Sequence, residues 1–127
     1  MTRPLLEVQN LAKHFPVGPR TFLGNAQQHL HAVDGVSFNI ERGVSLGLVG
    51  ESGCGKSTCA RTIVGLHPAT SGSVRYEGVE LTSLSRRGWL PYRRKIQMIF
   101  QDPYASLDPR QTVAQILDEP LALFGLG

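Results

Sequence analysis

Nine consecutive residues, Gly50-Glu51-Ser52-Gly53-Cys54-Gly55-Lys56-Ser57-Thr58, constrain this chain more than any other stretch. Their spacing, Gly-x4-Gly-Lys-Ser, is that of a phosphate-binding loop. The chemistry needs these residue types in this order. Glycines let the backbone curl until successive N–H groups point inward at anionic oxygens. A helix opening directly behind the loop adds its unpaired first donors and the positive end of its dipole. Lys56 brings a mobile charge to the β- and γ-phosphates, and the Ser57 hydroxyl can ligate Mg²⁺ beside them. Gly50, Ser52, Gly53, Cys54, Gly55, Lys56, Ser57 and Thr58 are therefore the candidate nucleotide contacts.

The flanking sequence has the order such a loop requires. Val44-Ser45-Leu46-Gly47-Leu48-Val49 is a short apolar run, which predicts a buried parallel strand leading into the loop. Beyond the lysine, Ala60, Ile63 and Val64 recur at helical spacing, with Cys59 and Leu66 as further members. Pro68 ends the pattern.

Composition sets outer bounds. The 127 residues suffice for one modest domain, and 41% hydrophobic with 18% charged residues is a globular balance rather than a disordered one. A net charge of +3 suits an anionic ligand without arguing for nucleic acid. No apolar run approaches the roughly 20 residues of a membrane span, and Met1 to Glu7 lacks a secretory pattern, so a cytosolic chain is expected. The two cysteines, Cys54 and Cys59, form no Cys-x-x-Cys pair and read as small filler residues, although the electropositive loop could activate Cys54.

Along the chain, Leu5 to Gln9 predicts a short strand, Pro16 to Leu30 a loop, and Val36-x-Phe38-x-Ile40 a half-buried strand. Thr70-Ser71-Gly72 predicts a turn, with short strands on either side of Glu77-Gly78. Ile96 to Phe100 predicts a core strand, and Thr112 to Leu117 the start of an amphipathic helix whose end carries no recognisable stop signal. Arg86, Arg87, Arg93, Arg94 and Lys95, interleaved with Trp89 and Tyr92, read as a solvated basic face. His29-x-His31 reads as a solvated pair, with no third metal ligand beside it in sequence.

Four stretches resemble the ATP-binding subunits of ABC transporters, and within them the dipeptide and oligopeptide importers. These are Ala32 to Phe38, Leu46 to Arg61, Pro68 to Gly72, and Ile96 to Arg110, the last containing Phe-Gln-Asp-Pro-Tyr-Ala-Ser-Leu. The resemblance runs from about residue 5 to about residue 121. It implies an α/β fold: an incomplete P-loop NTPase core with an N-terminal antiparallel β subdomain. Residues 1–127 would be the N-terminal part of one ATP-binding domain. It also implies ATP and Mg²⁺ as cofactors, Lys56 and Gln101 as catalytic residues, Ser57 and Gln101 near the metal, and Phe15 stacked on adenine. The implied partners are transmembrane permease subunits docking on residues 101–110, a second ATP-binding subunit, and indirectly a solute-binding protein. The implied location is peripheral, on the cytoplasmic face of the inner (plasma) membrane, with no nucleic-acid partner.

The family's signature, Walker B strand, catalytic glutamate and switch histidine are not found in this sequence. Ala114-Gln115-Ile116-Leu117-Asp118-Glu119-Pro120 imitates Walker B, but Gln115 interrupts the apolar run, and Val113, Ile116 and Leu117 fit a helix. Hence the expectation of a fragment that binds Mg-ATP without hydrolysing it. Two alternatives stay open: a non-catalytic truncated product, and a P-loop kinase or GTPase.

Overall fold

A computed structural model describes residues 2–18, 28–51, 53 and 55–126. The chain divides into two compact units, Met1–Trp89 and Leu90–Gly127.

The first unit is built on one antiparallel sheet in the order β2-β1-β3-β4, formed by β1 (Leu6–Val17), β2 (Gln28–Ile40), β3 (Ser71–Tyr76) and β4 (Val79–Glu80). The helix α1 (Lys56–Ile63) packs against β1 and β2. Val8, Leu11 and Ala12 of β1, Val33 of β2, Val74 of β3, Cys59 of α1, Leu81 and Trp89 are all buried and form the core.

The strands bend because the ladder skips residues. β1 carries one extra residue relative to each neighbour, between Val8 and Leu11 against β2 and between Gln9 and Ala12 against β3. Asn10 lies there with φ 48°, a conformation that asparagine tolerates better than most residues, and the Ser37 hydroxyl accepts from its displaced N–H at 2.8 Å. β2 carries extra residues of its own, one of them at Ala32, between the pairs Lys13↔Val33 and His14↔His31. At the β3–β4 connection, Glu77 and Gly78 both have positive φ, 48° and 82°, the pattern of a type I′ hairpin.

Helix α1 ends where Gly65, at φ 73°, lets the chain reverse. The N–H of Leu66 donates to the Arg61 carbonyl at 2.8 Å, and that of Gly65 to the Thr62 carbonyl at 3.1 Å, so two terminal carbonyls are satisfied.

The second unit holds α2 (Leu90–Arg93), a 3₁₀ turn (Tyr104–Ser106) and α3 (Val113–Leu123). Thr112 caps α3 through a reciprocal exchange with Gln115. Asp118 and Glu119 thus lie on a helix, as the helical period of that stretch requires. The stop signal not recognised in the sequence is Gly125, at φ 64°, which closes α3 as Gly65 closes α1: Leu126 N–H donates to Leu121 at 2.8 Å and Gly125 N–H to Ala122 at 3.2 Å.

Several local expectations are corrected. Val44 to Val49 is not a buried strand: it joins no ladder, and Val49 is 93% exposed. Ile96 to Phe100 likewise joins no ladder, with Ile99 94% exposed. A parallel strand takes its backbone hydrogen bonds from neighbouring strands. Among the described residues no strand pairs with either run, so apolar composition alone does not make them sheet.

The expected loop from Pro16 to Leu30 is shorter than its composition suggests. Phe15↔Leu30, Pro16↔His29 and Val17↔Gln28 extend the β1–β2 ribbon, while positions 19–27 lie outside the described residues. The β1–β3 pairing ends at Ala12↔Ser71, so Pro16 faces no strand on that side and its missing N–H costs no ladder bond. Ser71 and Gly72 belong to β3 rather than to a turn.

Candidate nucleotide-binding site

The glycine-rich loop runs into α1 as the spacing requires. Gly55 is the N-cap residue, at φ 92° and ψ 7°, and Gly53 has φ 82°, both left-handed conformations that favour glycine. No side chain caps α1, and its first turn contains no acidic residue. The first intrahelical bond runs from Cys59 N–H to the Gly55 carbonyl at 2.8 Å. The N–H groups opening the helix therefore face a region with positive dipole potential, and no carboxylate of the helix's own first turn neutralises it. Lys56 folds back over the loop, its ammonium donating to the carbonyls of Gly50 and, at 3.1 Å, of Glu51. This arrangement fits a polyphosphate: backbone donors at the helix mouth, and a cation arched over the same loop. Ser57 is exposed at the second position of α1, with a hydroxyl of the kind that can ligate a divalent cation, and Thr58 follows half-buried. Ser52 and Cys54 lie outside the described residues.

A cleft of about 330 Å³ adjoins the helix mouth, with β2 on one side. Its walls include Ala32, Asp34, Val49, Gly55 and Lys56. The bulged residue Ala32 brings its backbone against Gly55, so closely that a Cβ on Gly55 would fall 3.1 Å from the Ala32 carbonyl carbon and nearer still to its oxygen. Sequence spacing could not single out Ala32. It acts through its main chain, and only the register of the hairpin brings it to the loop.

Phe15, near the end of β1, is half-buried. It meets the His67 ring edge-on at 5.6 Å and lies beneath Lys13, whose ammonium is 5.0 Å from the ring centroid. Cys59 is buried and burial pushes its thiol above the usual range, as expected of a filler residue. Trp89 is also buried, so it does not stand among the exposed arginines Arg86 and Arg87 as a stacking surface.

In the second unit Gln101 is exposed at a bend. The Asp102 carboxylate accepts from the N–H groups of Tyr104 at 3.1 Å and Ala105 at 3.2 Å, which fixes the 3₁₀ turn that follows. Arg110 grips Asp108 through its side chain and backbone, which lowers the Asp108 carboxyl pKa. Tyr104 is 85% exposed on this stretch.

Comparison with known proteins gives this geometry a lineage. The profile of the ABC transporter family matches residues 33–122. The chain is 51% identical over 127 residues to the oligopeptide transport ATP-binding protein OppF of Bacillus subtilis, covering 99% of this chain and 39% of the relative. It is 50% identical over 123 residues to the putative oligopeptide transport ATP-binding protein YkfD of the same organism, covering 97% and 35%. It is 45% identical over 123 residues to the dipeptide transport ATP-binding protein DppF of Escherichia coli, covering 97% and 36%. The chain thus spans just over a third of the length of these relatives. Among solved structures, a dimeric post-hydrolysis state of the ATP-binding cassette MJ0796 bound to ADP and Pi is similar with a TM-score of 0.79 at 27% identity, covering 96% of this chain and 49% of that one. With a glycine-rich loop opening an uncapped helix and a family profile spanning most of its length, the chain belongs to the ABC transporter family.

Proposed function

We propose that this chain forms the nucleotide-binding face of a motor subunit in an ABC importer of dipeptides or oligopeptides. One observation carries the reading: α1 opens without a side-chain cap or acidic residue directly behind Gly-x4-Gly, with Lys56 arched over the same loop. The peptide assignment rests on the oligopeptide and dipeptide transport proteins among the relatives.

In this reading residues 1–127 are the N-terminal part of one ATP-binding domain. Gly50, Ser52, Gly53, Cys54 and Gly55 cradle the phosphates, with Lys56, Ser57 and Thr58 at the helix mouth. A bound Mg²⁺ would supply positive charge to offset that of the phosphates. The Ser57 hydroxyl would ligate that ion, Phe15 would support adenine, and the part proposed for Gln101, in the second unit, is to position the attacking water. Residues 101–110 dock on transmembrane subunits, since Asp102 and Asp108 hold that stretch in a defined shape with Tyr104 presented outward. A second ATP-binding subunit closes over the nucleotide, and the assembly works at the cytoplasmic face of the membrane. No helix among the described residues is long and apolar enough to cross a membrane, which accords with a peripheral role.

The intact subunit hydrolyses ATP; the 127 residues alone bind Mg-ATP without turnover. Titration with a fluorescent ATP analogue in Mg²⁺ tests this. Saturable binding, displaced by ATP more readily than by GTP and lost in Lys56→Ala, is the expected result. A strong GTP preference would point to a GTPase instead. Steady phosphate release abolished by Lys56→Ala would overturn the division between binding and turnover.

A further inference from the structure

The β1–β2 ribbon brings together three metal-ligating side chains from separate parts of the hairpin. His14 and His31 are cross-strand partners, and their rings stack with centroids 3.9 Å apart and planes 11° from parallel. Asp34 joins them because of the bulge. In a regular strand residues three apart point to opposite faces, but Ala32 is skipped by the ladder, which returns Asp34 to the face of His31. His14 Nε2 lies 3.5 Å from Asp34 Oδ1, and His31 Nδ1 lies 3.8 Å from Asp34 Oδ2. One ligand atom from each residue falls within 4.8 Å of the other two.

We propose that His14, His31 and Asp34 bind one divalent transition-metal ion of zinc-like chemistry. The donor set, two imidazoles and a carboxylate, is that of borderline metals, whereas Mg²⁺ and Ca²⁺ favour oxygen ligands. Bonds of about 2.0–2.1 Å in a tetrahedron separate ligand atoms by roughly 3.3–3.4 Å; His14 Nε2 stands close to that separation from Asp34 Oδ1, whereas His31 Nδ1 faces the other oxygen, Oδ2, at 3.8 Å and has to move inward. The His14 Nε2 atom is itself buried and makes no hydrogen bond, its neighbouring acidic oxygen, Asp34 Oδ1, standing 3.5 Å away. A ring nitrogen enclosed in that way is costly to leave unpaired, and one cation there would satisfy both imidazole nitrogens and the carboxylate together. The stacked rings must tilt for both lone pairs to reach one ion. His31, with 54% of its side chain exposed, has the freedom to turn. The fourth position is left to water, so the affinity is that of an open three-ligand site rather than a closed structural one.

The site also has a position relative to the phosphate-binding loop. His31 and Asp34 line the cleft beside α1, and Ala32 between them abuts Gly55. A bound ion would therefore fix the segment of β2 that supports the N-cap of α1.

Cobalt(II) titration of the purified chain tests the proposal without nucleotide. The expected result is a visible absorption spectrum of low-symmetry Co²⁺ that saturates at one equivalent and is abolished by Zn²⁺, with no thiolate charge-transfer band that would implicate Cys54 or Cys59. His14→Ala and Asp34→Asn should each weaken binding by more than about tenfold. His29→Ala, which removes a neighbouring histidine of the same strand outside the cluster, should leave it unchanged. Far-UV circular dichroism identifies any variant that fails to fold, and His31→Gln, a more conservative change at an exposed position, then takes its place. Absence of a saturable spectrum, equal loss in His29→Ala, or full retention in a folded Asp34→Asn would overturn the proposal.

Discussion

The backbone of Ala32 stands against Gly55, closely enough that any side chain at position 55 would collide with its carbonyl group. Gly55 also sits at φ 92°, where an L-residue is strained irrespective of space. Gly55→Ala should therefore destabilise the first unit by more than about 2 kcal/mol and displace the N-cap of α1. Chemical denaturation followed by circular dichroism measures the first effect, and loss of ATP-analogue binding below the unfolding midpoint measures the second. Unchanged stability would show that the ribbon and the loop are not in contact in solution.

Lys56 should behave in the opposite way. Its ammonium reaches loop carbonyls rather than a buried carboxylate, so Lys56→Ala removes no desolvated ion pair. The change in stability should stay within about 0.5 kcal/mol, typical of a surface substitution. Nucleotide affinity should fall at least about tenfold, because the mobile charge over the phosphates is gone. Comparing unfolding midpoints with ATP-analogue titrations separates the two quantities.

Gly65 tests the packing under the helix. It takes φ 73° to end α1, and a Cβ there would meet the Trp89 ring, 2.6 Å from Cε2. Trp89 is the sole tryptophan and is 8% exposed, so its emission reports on this contact directly. Gly65→Ala should red-shift the emission and destabilise the unit by about 2 kcal/mol or more, combining backbone strain with overpacking.

How much of this was legible in the sequence differs by the kind of signal. The glycine-rich loop followed by α1 was readable because Gly53 and Gly55 supply the left-handed turns before the helix and a nearby proline bounds it. The strands beside Glu77-Gly78 were readable because a type I′ turn demands residues that tolerate positive φ. Val44 to Val49 and Ile96 to Phe100 were misread as strands. Apolar composition records a preference for burial, but a ladder also requires a neighbouring strand, which lies elsewhere in sequence. The ribbon beyond Phe15 was missed for a related reason: Pro16 marks a break in isolation, yet its free edge makes it harmless. His14, Asp34 and the Ala32 main chain were invisible because the bulges that assemble them are a property of register, and register belongs to the pair of strands rather than to either one.

Glu80 makes the acid stability of the first unit predictable. Its side chain is 31% exposed, and burial by itself would raise its pKa. The donors around it outweigh that effect. The hydroxyls of Ser73 and Thr82 donate to its carboxylate, as do the backbone N–H groups of Thr82 at 3.3 Å and Val74 at 3.2 Å, and together they pull the pKa down to about 2. An unfolded glutamate titrates near 4.3. Between these values the unfolded chain binds the proton and the folded chain does not, so stability rises with pH across that interval. The contribution is complete above about pH 4.5 and is lost as the pH falls toward 2. Its size is on the order of 2 kcal/mol, after discounting for the part of the side chain still in water. Glu80→Gln should lower stability at neutral pH, because an amide has one acceptor oxygen where the carboxylate has two. It should also flatten the acid limb of the stability curve. Denaturant midpoints measured from pH 7 down to pH 2.5, with Trp89 emission as the probe, give both slopes. Parallel curves for the two proteins would show that the acid sensitivity comes from another carboxylate.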